Sequence, residues 1–320
     1  MTLLAVDNLS ITYQTRSGPH VAVDDVSFDL EKGQSLGIVG ESGCGKTTIG
    51  MGLLRLLPAN ATITDGSIRF AGNNLLDLPV NAMQAIRWKN ISMIFQAAMN
   101  AWNPVQRVGD QIIEAIRTHY PETSRAEATE AVKRLYEAVD IPGNRIFNYP
   151  HEYSGGMKQR AIIAMALSCQ PDLLIADEPT TALDVIVQDQ IIEKLKAIQT
   201  ERNIAVIFIS HDIGVVAEVC HTIMVMYQGK IVESGRREEV FGSPAHPYTQ
   251  ALLSSYLTID GVFEVHEDQA ASACAAPGEL PAGLCAYLPH CRQAELDCRR
   301  LPAGWQEISP THKARCRLCS

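Results

Sequence analysis

Three short apolar runs, SLGIVG at 35–40, DLLIAD at 172–177 and AVIFIS at 205–210, lack the alternation of a half-exposed strand. Continuous runs of this length suit strands buried on both faces of a parallel sheet. Each is followed by a polar or glycine-containing turn and then a helical pattern, KTTIGMGLLRLL after the first. The rhythm predicts an α/β fold with a doubly wound sheet, in which ligands sit beyond the carboxyl ends of the strands.

Between the first and second runs the period changes from strand to helix. SRAEATEAVKRLYEAV places Ser124 and Glu127 at capping-box spacing and Val132, Leu135 and Val139 on one helical face. A helical subdomain inserted at about 97–170 is expected, its last helix running through AIIAMAL. After about residue 240 the pattern gives way to Pro, Gly, Ala and Cys without a long periodic helix. Residues 1–240 are therefore expected to form one domain and 241–320 an extension.

Charge and hydropathy narrow the classes. With 27 Lys and Arg against 36 Asp and Glu, a net charge of −9, the chain lacks the basic balance of a nucleic-acid binder, and no nucleic-acid partner is expected. Its longest apolar stretches fall far short of the roughly 20 residues that span a bilayer. MTLLAVDNLSITY shows no basic region followed by an apolar block, so no secretory signal is read. The cytosol is the expected compartment, where clustered thiols serve metal or redox chemistry more than disulfides.

GESGCGKT at 40–47 fits G-x-x-x-x-G-K-[ST] directly after an apolar strand and before a helix. Glycines at Gly40, Gly43 and Gly45 let successive backbone N–H groups of Ser42, Cys44 and their neighbours turn inward around phosphate at a helix N-terminus. Lys46 adds a cation for the outer phosphates, and Thr47 offers a hydroxyl to Mg²⁺. LLIADEP at 173–179 supplies an acidic pair at a strand end: Asp177 to hold the metal, Glu178 to polarise an attacking water. In EYSGGMKQR at 152–160, Ser154, Gly155 and Gly156 open a helix, a second anion site or a plain N-cap.

The order Tyr13, GESGCGKT, Gln96 in SMIFQ, YSGGMKQR, LLIADEP, TALD at 181–184 and His211 in ISHD resembles the ATPase subunit of an ABC transporter over residues 1 to about 240. The resemblance implies a P-loop NTPase core of ABC ATPase type. It further implies two ATPases closing head to tail, the phosphate loop of one sharing each ATP with the serine-glycine signature of the other. Tyr13 would stack on adenine. Thr48 would join the loop residues, and Thr47, Gln96 and Asp177 would serve Mg²⁺. Glu178 and His211 would be catalytic, His211 reaching the γ phosphate. Ser154, Gly155, Gly156, Met157 and Gln159 would act in trans, with Asp184 at the seam.

SPAHPYTQALLSSY at 243–256 and the tail resemble the oligopeptide and dipeptide importer branch. That implies peptide uptake, with nickel or another small solute as the alternative cargo. It also implies a second, related ATPase, two membrane permease subunits, an extracytoplasmic solute-binding protein and a peripheral place on the cytoplasmic face of the inner membrane. Cys285, Cys291, Cys298 and Cys316 have 5, 6 and 17 residues between them, and Cys319 forms a C-x-x-C pair with Cys316. Four thiolates suit zinc or an iron–sulfur cluster, and spacing alone does not choose. The resemblance implies a [4Fe–4S] cluster; Cys274 and Cys319 have no assigned role.

The chain departs from the family pattern at Ala97 and Ala98, where Asp-Pro is common, at Tyr153 before the signature, and at Cys44, where serine is commoner. A thiol beside a helix N-terminus and Lys46 is expected to be acidified and reactive. Two competing readings are a soluble ABC ATPase linked to iron–sulfur assembly and a regulatory module whose cluster senses oxygen or iron.

Overall fold

The computed structural model describes residues 2–96, 98, 101–180, 183–257 and 283–318. A long antiparallel hairpin, β1 (Thr2–Thr15) and β2 (Gly18–Glu31), precedes the first buried strand, β3 (Ser35–Val39), and helix α1 (Lys46–Leu53). Next come β4 (Ala61–Phe70), β5 (Asn73–Asn74), α2 (Val80–Ile86) and β6 (Ile91–Ile94). The helical insertion holds α3 (Val108–His119), α4 (Arg125–Ala138) and α5 (Gly155–Ala166). The chain then runs through β7 (Leu173–Asp177), α6 (Val185–Arg202), β8 (Ala205–Ser210), α7 (Ile213–Val219), β9 (Thr222–Tyr227) and β10 (Lys230–Arg236). It ends with α8 (Arg237–Gly242), α9 (Pro247–Leu257), β11 (Gln306–Ser309) and β12 (His312–Ala314).

The three apolar runs are adjacent or near-adjacent strands of an eight-stranded sheet ordered β11-β12-β10-β9-β3-β8-β7-β6. The pairings from β9 across to β6 are parallel, and those at the β10, β12 and β11 end are antiparallel. Successive side chains of a strand point to opposite faces, and here both faces are covered. Ile38, Ile175, Ile207 and Ile209 enter one core, where α1 is packed between this sheet and a second sheet ordered β2-β1-β4-β5. Val39, Leu174, Ala176, Val206 and Phe208 enter the other core, beneath residues of α5, α6 and α7. Double coverage is why the runs show no polar alternation.

The capping box is present at α4: Glu127 N–H donates to Ser124 Oγ, and Ser124 N–H donates to the Glu127 carboxylate at 2.9 Å. Val132, Leu135 and Val139 are buried as their spacing requires. Two expectations need correction. The helix after the phosphate loop stops at Leu53, the first residue of LLRLL, because Arg55 adopts a left-handed conformation and its guanidinium caps the Leu75 and Leu78 carbonyls. The chain beyond 240 does form a helix, α9, and β12 pairs with β10, so the extension continues the main sheet. The strands among its described residues, β11 and β12, are only 4 and 3 residues long, too short for local pattern to reveal. Among the described residues no helix is long and apolar enough to cross a membrane.

Candidate functional site

Four neighbouring parallel strands, β3, β8, β7 and β6, deliver the candidate residues at their carboxyl ends. β3 leads into residues 40–47, β6 into Gln96, β7 into Asp177 and Glu178, and β8 into His211. Two glycines of the loop answer to close packing. Gly40 has φ 153°, and a Cβ there would meet the Met226 carbonyl at 2.1 Å; Gly45 has φ 112°, and a Cβ would meet the Ala22 carbonyl at 2.2 Å. Side chains at either position would force the loop off its two flanking strands.

Lys46 is buried at the start of α1, and its ammonium donates to the carbonyls of Gly40 at 2.7 Å and Glu41 at 2.8 Å. Thr47 Oγ1 donates to Asp177 Oδ1 at 3.1 Å. Asp177 is 1% exposed and its Oδ2 has no hydrogen-bond partner among the described residues. Burial pushes its carboxyl up to about 6, against the Thr47 hydroxyl, which favours the charged form. A hydroxyl beside a buried, half-satisfied carboxylate is an oxygen donor set that fits Mg²⁺.

Glu178 follows at once, with φ 47°, in the left-handed region. Strain of about 1–3 kcal/mol persists at such positions where surrounding bonds over-determine the backbone; here Glu178 N–H donates to the Ile209 carbonyl at 2.8 Å. The turn aims both carboxylate oxygens along the strand ends. Gln96 Nε2 donates to Oε2 at 2.7 Å, and His211 Nδ1 lies 2.9 Å from Oε1. Gln96 therefore contacts the candidate base rather than Thr47 or Asp177. Tyr13, on β1, brings its hydroxyl within 3.4 Å of Thr48 Oγ1 on α1.

The signature residues lie on α5. Ser154 is its N-cap, accepting from Met157 N–H at 3.3 Å, and is exposed. Asp184 caps α6 by accepting from Val187 N–H at 3.0 Å. Gln159 is corrected: it is buried and its amide donates to the Pro179 carbonyl of the same chain, so it does not face outward with Ser154. Thr181 and Ala182 of TALD lie outside the described residues, as does Ala97.

Cys44 is also corrected. It is only 7% exposed, and burial pushes its thiol up more than the neighbouring Lys46 pulls it down. The helix terminus and the cation are both present, but loss of hydration outweighs them.

In the tail, Cys285, Cys291, Cys298 and Cys316 border one small cavity of about 20 Å³ together with His246. The donor chemistry suits a cluster, yet no three His, Cys, Asp or Glu side chains among the described residues are gathered closely enough to hold a metal ion. Cys274 and Cys319 lie outside the described residues. HPYT reads in sequence only as a family marker, yet the side chains of His246 and Tyr248, with Glu233 and His312, join the tail to the sheet, an arrangement that no local pattern signals.

Residues 23–181 match the family described as ABC transporter, and residues 232–298 match that described as oligopeptide/dipeptide transporter, C-terminal region. The chain is 43% identical to the dipeptide transport ATP-binding protein DppD of Bacillus subtilis, over 99% of this chain and 94% of that protein. It is 44% identical to the oligopeptide transport ATP-binding protein OppD of Salmonella typhimurium, over 99% of this chain and 93% of that protein. A solved dimeric bacterial ABC transporter cassette superposes with a TM-score of 0.66 at 25% identity, covering 73% of this chain and 98% of the other. With relatives this similar along almost its entire length, the chain belongs to the ATP-binding proteins of the ABC transporter family.

Proposed function

We propose that this chain energises the uptake of di- or oligopeptides, hydrolysing ATP at the ends of β3, β6, β7 and β8. One observation carries the chemistry: a strained Glu178, held by Gln96 and His211, stands next to the Thr47–Asp177 pair and the Lys46 loop. The peptide cargo is supported by the dipeptide and oligopeptide transport functions of the relatives, which match the tail as well as the core.

Backbone N–H groups of residues 40–47 and the Lys46 ammonium hold the phosphates, and the Tyr13 ring stacks on adenine. Thr47 and Asp177, with Gln96 nearby, would hold Mg²⁺, which when bound neutralises charge on the β and γ phosphates. Glu178 accepts a proton from the attacking water, and His211 orients that carboxylate and reaches the γ phosphate.

The far side of each nucleotide is read as the Ser154, Gly155, Gly156 and Met157 face of a second, related ATPase, with Asp184 at the seam. Supporting this, Ser154 and Asp184 are exposed helix caps, and Val185 and Ile186 beside Asp184 are each 72% exposed, an apolar edge that a partner would cover. Two permease subunits would dock at an apolar groove of about 320 Å³ near Gln96, lined by Leu54, Trp88, Phe95, Trp102 and Met165. On this reading the chain sits peripherally on the cytoplasmic face of the inner membrane, and an extracytoplasmic binding protein delivers peptide. Extraction in mild detergent is expected to recover the chain with a second ATPase and two integral membrane proteins; recovery with neither would overturn the reading.

The tail is proposed to carry a [4Fe–4S] cluster on Cys285, Cys291, Cys298 and Cys316, supported by four thiols on one cavity. Anaerobic purification is expected to yield iron and acid-labile sulfide in equal amounts. Protein lacking both would remove the cluster from the proposal.

A further inference from the structure

Glu41 opens the variable part of the phosphate loop, and its backbone N–H donates to the hydroxyl of Tyr248 at 3.1 Å. The carbonyl of that same peptide unit, Gly40 O, accepts from the Lys46 ammonium at 2.7 Å. In a trans peptide the N–H and C=O point to opposite sides. The 40–41 peptide plane is thus gripped from one side by the loop lysine and from the other by a tyrosine more than two hundred residues away in sequence. Gly40 cannot supply this rigidity itself, because glycine has the widest backbone freedom of any residue.

Tyr248 is well placed to be a fixed post. It is fully buried, and burial raises its phenol far above the usual range, so the group stays a neutral hydroxyl. Its ring packs against Tyr227 on β9 at a centroid distance of 4.6 Å and against Tyr287 of the tail at 5.3 Å. Its backbone is anchored as firmly. Tyr248 N–H donates to His246 Nδ1 at 3.1 Å, capping α9 ahead of Pro247, and His246 N–H donates to the buried Glu233 carboxylate at 2.8 Å. Because Nδ1 accepts, the neutral imidazole carries its proton on Nε2, which lies 3.5 Å from Cys285 Sγ. The HPY segment therefore spans from the tail's thiol cavity to the phosphate loop.

We propose that Tyr248 is a positioning residue for ATP binding: its hydroxyl orients the 40–41 peptide, and through it the Lys46 ammonium that the phosphates require. The inference rests on the reading of residues 40–47 as the phosphate-binding loop. It assigns the C-terminal extension a part in the ATP site and gives the buried Tyr248 hydroxyl a partner in the phosphate loop.

The test uses the full chain, equilibrium titration with MgATP, and steady-state hydrolysis. Tyr248→Phe keeps the ring and removes only the hydroxyl that accepts from Glu41 N–H; it is expected to raise the MgATP Kd and KM about three- to tenfold, the loss of one hydrogen bond, with kcat within about twofold. Hydrogen exchange at the Glu41 amide is expected to quicken in parallel. Tyr227→Phe removes a hydroxyl from the same ring cluster and is expected to bind MgATP like wild type. Tyr248→Phe at wild-type affinity, while Lys46→Ala loses binding, would overturn the inference, as would equal weakening by Tyr227→Phe. Lys46→Ala binding MgATP normally would overturn instead the phosphate-loop reading beneath it.

Discussion

Glu178→Gln is expected to lower ATP turnover at least a hundredfold while leaving MgATP binding intact, and to hold two ATPase subunits together around unhydrolysed nucleotide. A positioned general base contributes about 10²–10⁴ in rate, and the side chain replaced here has both oxygens engaged, by Gln96 Nε2 at 2.7 Å and His211 Nδ1 at 2.9 Å. Glutamine matches the shape but cannot take a proton from water, and its amide must turn one donor group toward Gln96 or His211. The backbone strain at Glu178 is unchanged by the substitution, so the fold and the Thr47–Asp177 pair survive. Single-turnover phosphate release measures the effect. A variant within tenfold of wild type would show that another group accepts the proton.

Glu233→Leu is expected to destabilise the chain by about 3–5 kcal/mol, read as a shift in chemical denaturation. Glu233 is 0% exposed on β10 and receives three donors: Ala245 N–H at 2.9 Å, His246 N–H at 2.8 Å and His312 Nε2 at 2.7 Å. Leucine fills the volume but leaves two backbone amides and an imidazole buried without their acceptor, the circumstance in which breaking a buried pair is costly. Those donors belong to the approach to α9 and to β12, so the loss falls on the junction between sheet and tail. A change below 1 kcal/mol would mean that the junction relaxes to admit water.

Much of the nucleotide site was legible because it is local. GESGCGKT, LLIADEP and ISHD each lie at the carboxyl end of a buried strand, and in a parallel sheet the ends of neighbouring strands are necessarily close. The N-terminal sheet was harder to read. β1 buries Leu4 and Val6, then Leu9 and Ile11, because its register shifts around Asn8, which has φ 50°. One extra residue reverses the faces and erases period two. Cys44 was misread for a different reason: proximity to Lys46 and a helix terminus is visible in sequence, but the depth of burial that reverses the shift is not.

The sequence by itself determined the strand-helix rhythm, the phosphate loop, the acidic pair and the capping of α4, since each depends on residues within one turn or one strand of each other. Only the tertiary structure decided that Gln96 meets Glu178, that Gln159 turns inward to Pro179, and that Tyr248 meets Glu41 across 207 positions. Those contacts arise where separate elements stack on a shared core, and no local pattern of polarity or propensity records which distant backbone N–H a buried hydroxyl will face.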